Sequence, residues 1–587
     1  MMVQLIVGFC LAISLDLLGF WRNFSQVAQG TLSDPDGYMR LVRIREALDR
    51  GDLFGDVVAG GDSGLGLTLA WSHILDCVIL LLLAPLRLVL PPDQALLWAG
   101  SIIGPLSVGL LGLLCVWAIA PLAQRAWLWT AAVAVALAPP ILGYGQLGGV
   151  THHVALVALA VGAWGTGGRA AFGNIRSGIL LGLFAGLGIW LSPEAMPFGM
   201  MAFGAVFLSW LARPMPRVAV VLAAAGSAYV ASIGFGLLVD PPHAGYGAVE
   251  LDRISLPFLC LAVIVCALCW LPRGLARFRP SLARRVGAIG AAGSVGTLLW
   301  LALFPGYLRG LTGLMTSEQV EALILNNAEW QPLDTPSLVI AVAGPGVIAI
   351  IGALTVAFRQ RKTPSGLLWA FAGLCEVACV TLAVLHLRFA PYQAAGAAMM
   401  LPVLLSHAGD PALLRWRTLT RPGLLALFLL VPTLAGALSD SAPRNSASEA
   451  AGNAQCSMPD AARLLAPYGG AIVLADMNLG PELLYRTQVK IVGALYVRGM
   501  AGAMRLRAAL RARDLDAVPP ELRATDARYL LACNGAARSP FVDGPETTLF
   551  DRLNHGDPPG WLRSVAGDPN SGWALYEVVP DAHPEKT

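Results

Sequence analysis

The sequence predicts a polytopic α-helical membrane protein with a small soluble α/β domain at its C-terminal end. Three observations carry this. Hydrophobic residues make up 56% of the 587 residues and charged residues only 13%, where soluble domains carry about a quarter, and mean hydropathy is +0.65. Apolar runs of about 20 residues, enough to cross a bilayer, recur as far as residue 439. Beyond residue 440 the composition becomes that of an ordinary soluble domain. The formal net charge of +3 is small and gives no reason to expect a nucleic-acid partner; the apolar composition makes the lipid bilayer the expected partner.

The elements follow in order. A first span covers 3–21, with no small-residue cleavage site after it, and reads as retained. Directly behind it comes the polar stretch Ser33-Asp34-Pro35-Asp36-Gly37-Tyr38-Met39-Arg40. Asp34 suits an N-cap and Pro35 the first helical position, so a helix is expected over Asp36 to Arg50. The apolar run 67–90 contains His73, Asp76, Pro85 and Arg87. Further spans are expected at 97–119, 127–143, 152–166, 178–192, 195–212, 217–239, 254–272, 286–304, 336–358, 366–385, 391–407 and 423–439, about thirteen in all with the first. If 67–90 does not cross, alternate loops collect the Arg residues: 124–125, 169–176, 213–217, 273–285, 359–362 and 415–421. The positive-inside rule then puts those loops and the N-terminus in the cytoplasm and the tail outside. This divides the chain into a membrane domain, 1–439, with outer loops 22–96 and 305–335, and an outer domain, 440–587.

In the tail, Ala442 to Asn453 reads as a linker of small residues. Short apolar runs at 470–475, 490–495, 529–533 and 573–579 predict strands, and 505–513 and 547–553 predict helices. Of ten cysteines, most lie in apolar spans, where they act as small hydrophobes. Cys266 and Cys269 have a metal-type spacing but sit inside a span without other ligands near in sequence. Cys456 and Cys533 lie in the tail and can pair if it is outside the cytoplasm.

On that topology several polar groups fall on the outer face: Asp34 to Tyr38, Gly148 to His153, Ser192-Pro193-Glu194, Asn326 to Pro332, and His386-Leu387-Arg388-Phe389. Ionisable groups at span ends face a cavity or pair with each other. Each has a plainer reading alone: Asp34 as a cap, His152-His153 as an interfacial pair, Glu194 as a first-turn acid, Arg388 snorkelling to headgroups, Glu329 as a solvated acid. Together they offer a chemistry. Carboxylate and imidazole can hold Mg²⁺ or Mn²⁺, an Arg can neutralise a leaving phosphate, and a further carboxylate can deprotonate an acceptor. Glu376 alone is ionisable in mid-span among 366–385.

The order of these motifs resembles the GT-C class of glycosyltransferases, and most closely the oligosaccharyltransferase catalytic subunit and its bacterial relatives. Asp36-Gly37-Tyr38 looks like that family's first acidic motif, and Glu329-Trp330-Gln331-Pro332 is similar to its external-loop glutamate motif. Arg388-Phe389 resembles its pyrophosphate-contacting pair, and Thr151-His152-His153 falls where a second acidic motif is expected. The resemblance implies transfer of a sugar or oligosaccharide from a polyprenyl (pyro)phosphate donor, with inversion, at the outer face of a bacterial inner membrane, the tail being periplasmic. It implies Asp36 and Glu329 as catalytic, and a divalent cation held by Asp36, His153 and His152. Arg388, Tyr38 and Arg40 fall to the donor phosphate, and Glu194 and Asp34 to acceptor or structural roles. Two departures stand out: Thr151 and His153 replace acids, and the tail has Ala475-Asp476-Met477-Asn478 to Glu482 in place of a Trp-Trp-Asp motif. The acceptor is therefore open among protein, lipid and glycan, and Asp476 and Glu482 read as structural. A lipid-linked glycan transporter or flippase, and a non-catalytic relative acting as a binding module, are the alternatives.

Overall fold

The computed structural model describes residues 1–278, 280–310, 315–408, 417–440, 456–534, 540–542, 547–568 and 571–579. The expected linker Ala442–Asn453 and Arg415 lie outside the described residues. The chain divides into two compact units: a helical unit of 1–31, 71–314 and 329–442, and a mixed unit of 32–70, 315–328 and 443–587.

In the helical unit, nine helices among the described residues are long and apolar enough to cross a membrane, or ten if Arg125–Leu137 and Pro139–Gly145 count as one span bent by 65°. The bend falls at Ala138, which Pro139 drives out of helical geometry to ψ 116°. The expected spans 152–166, 178–192 and 423–439 lie on helices that are shorter or more polar, including His153–Ala170 and Ile175–Leu191. The expected count of thirteen is thus not fixed by length and hydropathy. The protein is a multi-pass membrane protein on these helices alone. Close packing is bought with small residues: a Cβ on Gly104 would lie 2.5 Å from the carbonyl oxygens of Gly145 and Gln146.

The run 67–90 yields a helix, Ile74–Leu86, of 13 residues. At 1.5 Å per residue that is about 20 Å, short of the ~30 Å hydrocarbon core. Its start is fixed by a buried polar node that the sequence did not disclose. Asp240 accepts from the His73 amide at 2.9 Å, lies 2.7 Å from His73 Nδ1, and accepts from Trp190 Nε1 at 3.0 Å and from Arg253. His73, Asp240 and Arg253 are each at most 2% exposed, so the node ties this helix to the 240–253 loop.

The mixed unit holds a five-stranded sheet of β3 (Ile472–Leu474), β4 (Lys490–Ile491), β5 (Tyr529–Cys533), β6 (Leu562–Asp568) and β7 (Trp573–Val578), in the order β4-β3-β5-β7-β6. β3 runs parallel to β4 and β5, while β7 is antiparallel to β5 and β6. Four of these strands match expected runs. β6 escaped because Leu562 to Asp568 has no apolar run and a register shift between Ser564 and Ala566 breaks its alternation. Cys456 and Cys533 form the disulfide, Cα atoms 6.1 Å apart.

Residues 32–70 and 315–328 are built into this unit. The hairpin β1 (Val57–Val58) and β2 (Leu67–Thr68) lies in the first segment. Gly60 O accepts from Ile491 N at 2.9 Å, which caps part of the open edge of β4. Asp62 pairs with Arg505, and Ser63 Oγ donates to Thr525 O at 2.8 Å. In the second segment Thr316 and Gln319 form a capping box for the helix Ser317–Asn326, and Ala322 enters the core with Leu510, Phe541 and Leu549.

Candidate active site

The helical unit gathers five expected site residues at one place. His153 opens the helix His153–Ala170, behind a turn at Gly148 whose φ of 93° needs a glycine. Glu194 lies in the single turn Pro193–Ala195 ahead of Met196–Ala212, and Arg388 in the turn Leu387–Phe389 ahead of Ala390–His407. Glu329 comes from the turn Ala328–Trp330. Each side chain therefore projects from a helix start or the turn leading into one.

The segment after Glu329 is zipped onto the end of the helix Pro364–Leu385. Leu387 N donates to Gln331 O at 3.1 Å, Leu333 N to Val384 O at 3.0 Å, and His386 Nδ1 lies 2.9 Å from Trp330 O. The Arg388 guanidinium sits 4.7 Å over the Trp330 ring and ion-pairs with Glu194, at 16% and 11% side-chain exposure. The His153 ring stands between two carboxylates: Nδ1 is 3.8 Å from Glu194 Oε1 and Nε2 is 3.6 Å from Glu329 Oε1. Both distances exceed a hydrogen bond. His153 Nδ1, Glu194 Oε1 and Arg388 Nε are buried and have no hydrogen-bond partner. His152 stacks on His153 at 4.7 Å and Tyr144 lies against it at 4.4 Å. Tyr144 faces Glu329 and Tyr392 faces Glu194. Neither tyrosine was foreseen: Tyr392 lies inside the apolar run 391–407, and Tyr144 falls between the span 127–143 and the polar cluster from Gly148, with no ionisable neighbour in sequence to mark it.

The mixed unit holds the other four. Asp34 caps the helix Pro35–Arg50 through Gly37 N at 2.8 Å, as its position predicts. Asp36 is half-buried beside the Tyr496 hydroxyl, with Asp34 and Arg40 also acting on it. Burial, then the Asp36 carboxylate, pushes the Tyr496 phenol well up. Tyr38 is buried: its hydroxyl accepts from Leu32 N at 2.9 Å and donates to Glu482 Oε1 at 2.9 Å, and Arg486 completes the chain on Glu482 at 2.6 Å. Arg40 is 2% exposed. Asp476 accepts from Asn478 N at 2.9 Å and Glu482 holds Tyr38 and Arg486, so both serve structure.

The expected metal set draws on both units: Asp36 is in the mixed unit, His152 and His153 in the helical unit. No three His, Cys, Asp or Glu side chains converge on an ion site among the described residues. Around His153 the reason is geometric. Its two nitrogens point to different carboxylates on opposite sides of the ring, and Glu194 already carries Arg388. His153, Glu194 and Glu329 by themselves therefore do not form a Mg²⁺ or Mn²⁺ set.

No protein-family model and no curated protein sequence matches the chain. Solved structures do. The chain has a GT-C fold of the oligosaccharyltransferase kind. The archaeal oligosaccharyltransferase AglB of Archaeoglobus fulgidus, solved with an inhibitory peptide and a dolichol-phosphate, superposes with TM-score 0.68 at 12% identity, over 90% of this chain and 69% of that one. The Archaeoglobus fulgidus oligosaccharyltransferase without ligand gives 0.66 at 14% identity, over 91% and 69%. Its complex with Zn and sulfate gives 0.63 at 15%, over 90% and 67%.

Proposed function

We propose that this protein is a membrane glycosyltransferase that moves a sugar or oligosaccharide from a polyprenyl (pyro)phosphate to an acceptor protein, lipid or glycan. The observation that carries the reading is the His153–Glu194–Arg388–Glu329 cluster, in which Arg388 Nε is buried without a hydrogen-bond partner, His153 Nδ1 and Glu194 Oε1 face each other at 3.8 Å, beyond hydrogen-bond reach, and Glu329, 30% exposed, opens the cluster to the outside. Buried polar atoms without partners are rare unless a ligand supplies them. The AglB structure with dolichol-phosphate supports a lipid-linked donor. A related structure, tethered to a peptide containing an NVT sequon, supports a polymeric acceptor.

In this reading Arg388, aimed by Glu194 and braced on Trp330, takes the charge of the leaving phosphate. An acceptor O–H or N–H gives its proton to the His153–Glu329 pair, the acceptor atom bonds to the anomeric carbon, and the carbon–phosphate oxygen bond breaks. A divalent cation is consistent with the Zn complex of the neighbour, but no step here passes through one. Asp36 is kept in this reading as a catalytic residue on the resemblance of Asp36-Gly37-Tyr38 to the family's first acidic motif alone. The site faces the periplasm of a bacterial inner membrane, with the N-terminus cytoplasmic, on the distribution of Arg-rich loops.

The test compares glycoconjugates from cells carrying wild-type, Asp36→Ala, Glu329→Ala or His153→Ala protein at equal expression. Loss of one glycoconjugate in all three variants is expected, and the missing product names the acceptor. If all three leave every glycoconjugate unchanged while deletion of the protein does not, the assignment fails.

A further inference from the structure

The end of the helical unit away from the candidate active site carries positive charge that its own residues do not balance. The helix Met196–Ala212 starts beside Glu194, and Trp210 lies 14 residues beyond Met196, about 21 Å along the axis. The chain segments 209–217 and 273–285 together contain seven Arg and neither Asp nor Glu. Arg285 joins the two segments, its guanidinium 5.9 Å over the Trp210 ring, and Arg273 lies 5.4 Å over the Trp270 ring. Neither these two nor Arg213, Arg217, Arg277 and Arg284 have a carboxylate partner among the described residues.

Arg285 is the sharpest case. It is 7% exposed, and its Nε is buried without a hydrogen-bond partner. Its Nη atoms reach the surface and likewise have no partner among the described residues. A charge this far from water needs a counter-charge. Its position sharpens the need. Arg284 and Arg285 are the third and fourth residues of the helix Leu282–Leu303, whose first turn holds no acid. The positive end of the helix dipole favours anions there and disfavours cations. The surroundings select the kind of anion. Leu282 and Val286 are both more than half exposed and share one face of the helix, and Phe278 is 80% exposed just before it. A free inorganic anion would leave these apolar side chains bare, whereas acyl chains cover them. A zwitterionic headgroup would set its own cation among the Arg side chains.

We infer that the start of the helix Leu282–Leu303, against Trp210, is a site for one anionic phospholipid. Arg285 and the first-turn amides take its phosphate, and its chains run along Leu282 and Val286. Basic clusters at the end of a span select anionic lipids in this way. The site is separate from the one proposed for the phosphorylated donor, which lies at the other end of the helix Met196–Ala212.

The experiment uses the full-length protein in mixed micelles containing phosphatidylglycerol or phosphatidylcholine with the same chains, and native mass spectrometry counts the lipid retained. Phosphatidylglycerol is expected to be retained about tenfold better or more, the worth of one hydrogen bond to a charged group. Arg285→Gln should erase most of that preference. Arg217→Gln removes an equal charge from the exposed surface at the same end and should leave most of it. In the wild type, phosphatidylglycerol should also slow amide exchange at 282–286, a readout that needs no variant. Glycerol phosphate, which carries the anion without the chains, should fail to displace the lipid at equal concentration. Equal retention of the two lipids, equal losses in the two variants, unprotected amides, or displacement by glycerol phosphate overturns the proposal.

Discussion

Glu194→Gln tests whether the active-site ion pair is an organising interaction. The change keeps shape and removes charge, leaving the Arg388 guanidinium without its counter-ion. Breaking a fully buried pair costs about 3–5 kcal/mol, mostly because the surviving charge stays buried. Here the side chains are 11% and 16% exposed and Glu329 also acts on Arg388. Both features soften the loss, to about 2–4 kcal/mol. The measurement is reversible unfolding in mixed micelles, run as a double-mutant cycle with Arg388→Met, which keeps the length of the chain but not its charge. Removing both charges should recover about 2 kcal/mol or more of the summed single losses, because no orphan charge remains. In transfer assays Glu194→Gln should raise KM for the donor more than it lowers kcat, since Glu194 aims Arg388 rather than reacting. Strict additivity of the two substitutions, or a Glu194→Gln protein as stable as wild type, would refute the reasoning.

Three further outcomes are expected. His153→Gln should lower kcat about 10²-fold or more, the usual worth of a positioned acid–base group, and flatten the pH–rate profile; a profile unchanged in shape removes His153 from proton transfer. Tyr38→Phe breaks the link from Leu32 to Glu482, costing about 1–2 kcal/mol, read as faster hydrogen exchange in 32–50 and 480–486. Acid should loosen the 73–86 helix. Burial would raise the Asp240 pKa, but the His73 contacts and Arg253 outweigh it and hold the carboxyl well below its usual range. A depressed folded pKa adds stability above the unfolded value of about 3.9 and loses it as pH falls toward the folded one. Proteolytic protection of 73–86 should therefore fall below about pH 4 in wild type, and Asp240→Asn should be labile already at neutral pH with a flatter acid response.

Much of the fold was legible because bilayer helices announce themselves by length and hydropathy. The strands at 472–474 and 529–533 were legible because a half-buried sheet concentrates apolar residues in short runs. The misses share a cause: they depend on pairing between distant segments. β6 exists because β7 offers it a partner, and its own residues carry no periodic signal. The Asp240 node joins residues 167 apart in sequence, each unremarkable where it stands. In the site, motif order singled out His153, Glu329 and Arg388, and the polar groups at outer span ends added Glu194. It did not reveal that the imidazole separates the two carboxylates, nor that Tyr38 turns inward to hold Glu482.

The mixed unit is stitched from three stretches of chain, and this bears on how the protein is made. Residue 70 leaves the ribosome 373 residues before the tail begins at residue 443. At roughly 5–20 residues per second, the first stretch waits several tens of seconds for the strands that it covers. During that interval the helix Pro35–Arg50 has none of the tail to bury its apolar face, and Gly60 has no strand edge to meet. Folding of this unit is thus a late event that depends on completed synthesis. A tail expressed alone would present the β4 edge uncovered, which makes the isolated fragment prone to aggregate.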